Sequence, residues 1–329
     1  MLILNAAEVR QALPMGQTIA AMKEAYAALS GGRAEVPLRA RLPIEAHQAI
    51  SLFMPAYVQD EGGESLAVKI VSVFPENISL GLPIIHAAVL VLDANTGRIL
   101  ALLEGGALTA IRTGAGAGAA ADLLARPDSR IAAIFGAGVQ ARTQLEAVCA
   151  VRPIEAAWVF DTDLERAKEF AAEMAGKKPI PEDLRAAINP KEAVEHADIV
   201  CTATTSLDPV FDDADLKPGV HINAVGSYTP EMQEIPAETI QRALVTVDSR
   251  TGVLAESGDL IKPIQQGVVD EEHIHAEIGE IILGQKAGRS DSEQITYFKS
   301  VGVAVQDALA GRLALENAIK FSLGQHIEL

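Results

Sequence analysis

Residues 131–141, Ile-Ala-Ala-Ile-Phe-Gly-Ala-Gly-Val-Gln-Ala, join an apolar run of buried type to Gly-x-Gly-x-x-Ala. Each small residue has a task in phosphate chemistry. Gly136 turns the chain sharply off a strand, Gly138 lets a pyrophosphate approach the backbone, and Ala141 lets helix and strand pack closely. Val139 and Gln140 then open a helix whose free N–H groups and positive dipole end face the phosphates. Alone the glycine pattern is weak. Its expected companion is an acid at the end of the next strand, about 20 residues on, and Ala157-Trp158-Val159-Phe160-Asp161 supplies one. Asp161 can accept hydrogen bonds from a ribose diol and would repel a 2′-phosphate, with no Arg in Asp161-Thr162-Asp163-Leu164 to compensate. These residues predict a Rossmann unit that binds NAD, with NADP as the alternative.

A nicotinamide cofactor carries its own hydride, so the protein must orient it, neutralise substrate charge and find a proton. Candidate cations are those out of place in apolar elements. Lys69 stands between Val68 and Ile70, Arg112 lies inside Leu108-Thr109-Ala110-Ile111-Arg112-Thr113, and Arg39 and Arg41 have the same-face spacing of a strand. An unpaired buried charge costs several kcal/mol or more. A substrate carboxylate is one partner that removes this cost; an internal ion pair, or a side chain snorkelling to the surface, is the other account. His86 is a further candidate to face a substrate. His273 and His275 are two residues apart, wrong for same-face ligation on a helix, and no third ligand is evident, so no metal is expected. There is no Gly-x-Ser-x-Gly elbow.

The elements that would carry these residues fall into two groups. With 329 residues, two domains are expected. Strands are predicted at Leu66–Val73, Pro83–Leu92 and Arg98–Leu103, the last two joined by the turn Asp93–Gly97, in the manner of antiparallel hairpins. A small-residue helix from Leu108 to Ala125 follows, with Thr109 as its N-cap. Its Gly114, Gly116 and Gly118 imitate a nucleotide motif but follow no suitably placed strand, so they read as close-packing positions. Beyond Asp161, helices alternate with strands at Asp198–Thr204, Gly219–Gly226 and Ala243–Asp248, the pattern of a parallel sheet. The strand ends at Thr202 and Val225-Gly226 would then lie along the ligand crevice. A final helix, Val301–Lys320, returns to the first domain.

Composition excludes other classes. Lys and Arg number 27 against 44 Asp and Glu, a net charge of −17, which argues against nucleic acid as a partner. No apolar run approaches the roughly 20 residues of a membrane span, and the N-terminus lacks the features of a signal peptide, so no membrane association and a cytoplasmic location are expected. Cys149 and Cys201 have no metal spacing; Cys201, in an apolar strand-like run, reads as a buried reduced thiol.

The chain resembles the ornithine cyclodeaminase and mu-crystallin family over nearly its whole length. The likeness rests on Leu108–Thr113, Gly136–Gln140, Cys201-Thr202-Ala203-Thr204-Thr205, His221-Ile222-Asn223-Ala224-Val225-Gly226 and Ile295–Gly302. It implies a homodimer whose α+β substrate-binding and dimerisation domain, residues 1–118 and 302–329, receives a doubly wound α/β Rossmann domain, 119–301, as an insertion. It also implies that Arg39 or Arg41, Lys69 and Arg112 line the substrate site. Lys69 would be the catalytic residue, and Arg112 would touch both substrate and cofactor regions. The same motifs put Thr113, Val225, Gly226, Ser227 and Ser300 with Thr202 among the cofactor-binding residues. Members that cyclise ornithine carry an aspartate two residues beyond the glycine of Asn-Ala-Val-Gly; here that position is Tyr228. A tyrosine, with an ordinary pKa of about 10, supplies no carboxylate at neutral pH. The run Gly226–Met232 looks instead like the branch that reduces cyclic imines such as Δ1-pyrroline-2-carboxylate to L-proline. The resemblance leaves two rivals: an alanine-dehydrogenase-like or opine-type enzyme, and a non-catalytic nucleotide-dependent binder of mu-crystallin type.

Overall fold

The computed structural model describes residues 1–328. The chain divides into two compact units. One comprises Met1–Arg112 and the segment from Ala304 onward, and the other comprises Thr113–Val303. These units divide the chain at 112/113 and 303/304, within a few residues of the expected 118/119 and 301/302. One reason lies in the residues just after Arg112: Gly114 packs on the carbonyl of Thr143 so tightly that a Cβ would stand 2.5 Å from its oxygen, and Gln144 donates to the Thr113 carbonyl.

The first unit is built on an eight-stranded sheet. Its strands are β1 (Leu2–Leu4), β2 (Ala34–Glu35), β3 (Ala40–Ile44), β4 (Ala49–Asp60), β5 (Gly63–Val73), β6 (Ile85–Leu92), β7 (Ile99–Glu104) and a C-terminal strand, Gln325–His326. β3 to β7 pair antiparallel in succession, with β3 on β4, β4 on β5, β5 on β6 and β6 on β7, and β7 also pairs with β1 in parallel. The β6–β7 turn forms where Asp93 accepts from the N–H groups of Asn95 and Thr96 and Gly97 takes φ +72°. Side chains alternate across the sheet. Met54, Ala56, Val58, Ala67, Val89, Val91, Ala101 and Leu103 are buried, and the C-terminal helix Ala304–Phe321 packs on β4, β5 and β6. Gly311 of this helix meets Val91, where a Cβ would come within 2.9 Å of a methyl group. The opposite face carries Phe53, Leu66, Val68, Ile70, Leu90 and Leu92, which remain partly exposed.

After α1 (Ala6–Ala12) and α2 (Met15–Ser30), the helix that follows β7 is α3, Gly105–Leu124, which begins earlier than Leu108 and leaves Thr109 inside rather than at the cap. The Glu104 carboxylate accepts the N–H groups of Gly106 and Ala107 at 2.8 Å each and so caps the helix instead. Gly105 is required there, because a Cβ would stand 2.6 Å from the Ala87 backbone.

The second unit is an eight-stranded, wholly parallel sheet. Its strands are β8 (Ile131–Phe135), β9 (Ala156–Phe160), β10 (Asp183–Ala186), β11 (Ile199–Thr202), β12 (His221–Ala224), β13 (Leu244–Val247), β14 (Ile274–Glu277) and β15 (Thr296–Lys299), in the spatial order β10-β9-β8-β11-β12-β15-β13-β14. Two apolar cores flank it. Ala133 and Phe135 of β8 belong to one and Ala132 and Ile134 to the other, which accounts for the unbroken apolar run of that strand. The glycine turn leads into α4, Val139–Val151, and β9 leads into α5, Leu164–Met174. The strand order changes direction at β8, between β9 and β11, and a crevice opens there at the carboxyl ends.

Candidate functional site

In the first unit the sheet register decides where each predicted cation stands. Lys69 of β5 pairs with Met54 and Val89, on the face that the C-terminal helix covers. Arg41 pairs with Leu52, which pairs with Val71, two residues from Lys69, so Arg41 shares that face. Arg41 is exposed, whereas Arg39 is half-buried. His86 pairs with Ser72 and points to the other face, away from Lys69, because three residues separate it from Val89.

Lys69 and Arg112 are 2 % and 5 % exposed, and both meet the carboxylate of Asp307 on the C-terminal helix. Lys69 Nζ lies 2.7 Å from Asp307 Oδ2 as a buried ion pair. Arg112 Nε donates to Oδ1 at 3.1 Å, and its Nη1 donates to Gln306 Oε1 at 2.8 Å. Gln306 Nε2 in turn donates to the Tyr26 hydroxyl at 2.8 Å. Arg112 Nη2 makes no hydrogen bond among the described residues. Burial, and then the charge of Arg112, push the Lys69 ammonium down to about 8; Asp307 opposes this and Arg39 adds to it. The internal ion pair and the anion-binding account of these cations are therefore compatible. Two cations face one carboxylate, so the cluster carries one positive charge in excess.

Sequence reasoning missed Asp307, Gln306 and Tyr26. Asp307 had a legible signal of the same kind as Arg112: a charge inside the apolar stretch Ala304-Val305-Gln306-Asp307-Ala308-Leu309-Ala310.

In the second unit the turn after β8 is braced from below. Gly136 takes φ +95°, and a Cβ on it would meet the Ala203 carbonyl at 2.8 Å. Its N–H donates to Phe160 O, and the Ala137 N–H donates to Asp161 Oδ2 at 2.9 Å. Arg142, also missed from sequence, donates from Nη1 to the carbonyls of Ala137 and Gly138 and stacks on Phe170. The turn's carbonyls are thus held on the protein side. Gly138 is the N-cap of α4 with no side-chain cap, and open space lies where its Cβ would be. Val139 is exposed, and Gln140 Oε1 is buried without a partner. Free helix N–H groups beside a glycine with room above it fit a pyrophosphate. The crevice is lined by Gly136, Gly138, Asp161, Thr162, Arg166 and Thr204 among others. Arg166 Nη1 lies 3.9 Å from Asp161.

The remaining predicted positions sit at the carboxyl ends of β11, β12 and β15, but the hydroxyls there are committed to buried carboxylates and carbonyls. Thr202 Oγ1 donates to Glu234, Ser227 Oγ to Met232 O, and Ser300 Oγ to Asp248. Glu234 also accepts from Thr204 N, Gly226 N and Ser227 N, tying the loops after β11 and β12 together. Burial, and then the nearby Asp259, raise its pKa against the opposing charge of Lys299. Val225 is half-buried beside them, and Thr113 begins this unit within α3. Tyr228 is 45 % exposed just beyond Ser227. His273 and His275 each hydrogen-bond a backbone carbonyl, of Ile240 and Ala287. Cys149 and Cys201 are buried thiols, pushed up to about 12 by burial. Among the described residues no group of three metal-binding side chains occurs, and no helix is long and apolar enough to cross a membrane.

Residues 1–321 match the ornithine cyclodeaminase/mu-crystallin family. This chain belongs to that family. Over the full length of both chains it is 42 % identical to a Δ1-pyrroline-2-carboxylate reductase of Bacillus cereus. It is similar to the structure of the Thermococcus litoralis Δ1-pyrroline-2-carboxylate reductase in complex with NADH and L-proline, with 45 % identity and a TM-score of 0.94 over 99 % of this chain and 100 % of that one. An archaeal alanine dehydrogenase dimer with bound NAD gives 31 % identity and a TM-score of 0.91 over 100 % and 99 % of the two chains.

Proposed function

We propose that this protein reduces a small cyclic α-imino acid with NADH, and that its substrate is Δ1-pyrroline-2-carboxylate, converted to L-proline. The observation that carries the substrate class is the buried cluster of Lys69, Asp307 and Arg112. It holds one positive charge in excess, and a substrate carboxylate is its complement. The ring and the imine rest on the relatives, whose names give pyrroline-2-carboxylate reduction at full-length identities above 40 %.

When bound, the nicotinamide dinucleotide supplies the hydride. Gly136, Gly138 and the first N–H groups of α4 would hold its pyrophosphate, Arg142 fixes the turn, and Asp161 would accept from the adenosine ribose. In the first unit Asp307 and Gln306 lock Arg112 through Nε and Nη1, so its Nη2 is directed to the substrate carboxylate. Lys69 adds a charge near the reacting nitrogen, and Arg39 and Arg41 add positive charge nearby. The chain functions as a homodimer, a reading supported by the partly exposed apolar sheet face of Phe53, Val68, Ile70 and Leu90. A cytoplasmic location accords with its two free thiols.

The test is oxidation of NADH with pyrroline, piperideine, or pyruvate plus ammonia as acceptors, alongside ammonia release from ornithine. Pyrroline-2-carboxylate is expected to be the best acceptor, and ornithine is expected to release no ammonia, since Tyr228 offers no carboxylate. Preferential use of pyruvate plus ammonia would move the protein to the alanine-dehydrogenase reading. Failure to turn over any acceptor would leave the non-catalytic one.

NADH should be used with higher catalytic efficiency than NADPH, because a 2′-phosphate would meet the Asp161 carboxylate. Equal or better efficiency with NADPH would show that Arg166 outweighs Asp161.

A further inference from the structure

The two halves of the dinucleotide crevice use their backbones in opposite ways. At the β8 turn Arg142 holds the carbonyls of Ala137 and Gly138, and the N-terminus of α4 carries no side-chain cap. At the ends of β11 and β12 it is the donors that are held. The N–H groups of Thr204, Gly226 and Ser227 turn inward to one fully buried carboxylate, Glu234, at 2.6, 2.8 and 3.2 Å. The hydroxyls of Thr202 and Thr204 donate to it at 2.9 and 2.8 Å. Main-chain bonds complete the attachment: the Gln233 N–H donates to Ser206 O, and the Val210 N–H donates to Glu234 O. Residues 233 and 234 therefore grip the loop after β11 at its start, middle and end. That loop supplies Ala203, Thr204, Thr205, Ser206 and Val210 to the crevice wall.

Asp161 and the glycine turn lie on the β8–β9 side of the switch point, where they suit the adenosine ribose and the pyrophosphate. The rest of a dinucleotide extends to the opposite side, over β11 and β12. The loops that Glu234 holds are thus the ones that meet the nicotinamide half.

We propose that Glu234 is the positioning residue for the nicotinamide half of the cofactor, fixing the wall on which that half rests by drawing the donors of both loops into the protein. This rests on the NADH-dependent reading above and on no particular acceptor. The residue type follows from the donors. An ionised carboxylate offers about four lone-pair sites and no proton of its own, and five donors converge on Glu234. A glutamine of the same shape would accept at one oxygen only and would aim an amide N–H2 at groups that themselves donate. Gly226 makes the approach possible, because a Cβ there would overlap both the Thr204 carbonyl and the Glu234 carboxylate. Glu234 is itself held from behind: Asp259 Oδ1 accepts the N–H groups of Glu234 and Ile235 at 2.6 and 3.1 Å, and Lys299 Nζ meets Asp259 Oδ2 at 3.0 Å. A buried polar network with its donors satisfied rigidifies what it joins. In this reading Thr202, a predicted cofactor residue, acts through Glu234 and not by contact, since it is fully buried with its hydroxyl committed.

The test measures binding of NADH, by its fluorescence, and of ADP-ribose, by calorimetry, to wild type, Glu234→Gln and Thr202→Val, with circular dichroism as the folding control. ADP-ribose keeps the adenosine and the pyrophosphate and lacks the nicotinamide. Glu234→Gln is expected to weaken NADH binding about tenfold or more, while ADP-ribose stays within about twofold of wild type. Thr202→Val removes one of the donors and keeps both the carboxylate and the side-chain shape, so NADH should weaken about threefold with ADP-ribose again unchanged. A merely structural role for Glu234 would weaken both ligands alike. If Glu234→Gln does not fold, Thr202→Val decides by the same split. In whichever variant decides, equal weakening of the two ligands, or NADH binding as tight as in wild type, overturns the proposal and leaves the NADH-dependent reading intact. A wild type that binds no NADH overturns both.

Discussion

Lys69→Met is expected to lower kcat/KM for the imino acid by roughly two orders of magnitude or more, the equivalent of about 3 kcal/mol for a lost charged hydrogen bond. Methionine keeps most of the apolar stem that lies between Met54 and Val89 and removes the ammonium. The protein should remain folded, because Asp307 retains Arg112 at 3.1 Å and is not left as a buried charge without a partner. NADH affinity should change little, since the glycine turn and Asp161 belong to the other unit. Steady-state kinetics, with circular dichroism as the folding control, checks this. Near-normal efficiency, or an unfolded variant, would make Lys69 a structural lysine and would place the substrate carboxylate elsewhere.

The largest effect on stability is expected at the opposite kind of lysine. Lys299 and Asp259 form an ion pair at 3.0 Å with both side chains at 0 % exposure. Asp259 also accepts the N–H groups of Glu234 and Ile235 and lies close to the buried Glu234 carboxylate. Lys299→Met leaves two carboxylates in a closed interior with their cation gone. Breaking such a pair costs about 3–5 kcal/mol. The loss should appear as a lower midpoint in denaturant unfolding. The control is Lys191→Met, whose lysine pairs with Asp215 at 3.0 Å but is 64 % exposed, and which should cost less than about 1 kcal/mol. Equal, small effects at the two sites would mean that the Glu234–Asp259–Lys299 network does not anchor the loops after β11 and β12.

The two lysines show what pattern can and cannot distinguish. Lys69 in Val68-Lys69-Ile70 and Lys299 in Phe298-Lys299-Ser300 are both cations in strand-like runs. Only the first reads as a site residue, on its apolar neighbours, while Lys299 lies within the family motif at Ile295–Gly302. The structure gives Lys299 an aspartate buried with it on every side, and gives Lys69 an aspartate shared with an arginine that has a nitrogen to spare. Likewise Thr202, Ser227 and Ser300 are hydroxyls at strand ends, where ligand contacts are expected. Their protons go to Glu234, Met232 O and Asp248, partners that lie 32, 5 and 52 residues away in the chain.

From the sequence by itself came the dinucleotide turn, its acid, the parallel alternation after Asp161, the antiparallel grammar before it, the family and the unusual positions of Lys69 and Arg112. All of these are written in local spacing: glycines where a turn and a phosphate need them, a period of two in strands, and charges where an apolar period forbids them. Tertiary structure alone decided the partners. Asp307 lies 195 residues from Arg112, and Glu104 displaced Thr109 as the cap of α3. His86 and Lys69 were sent to opposite faces by a register that no single strand contains. The physical reason is that burial makes an unpaired charge costly without specifying its counter-charge. Local sequence marks the residue that needs a partner, and only the folded chain brings that partner within 3 Å.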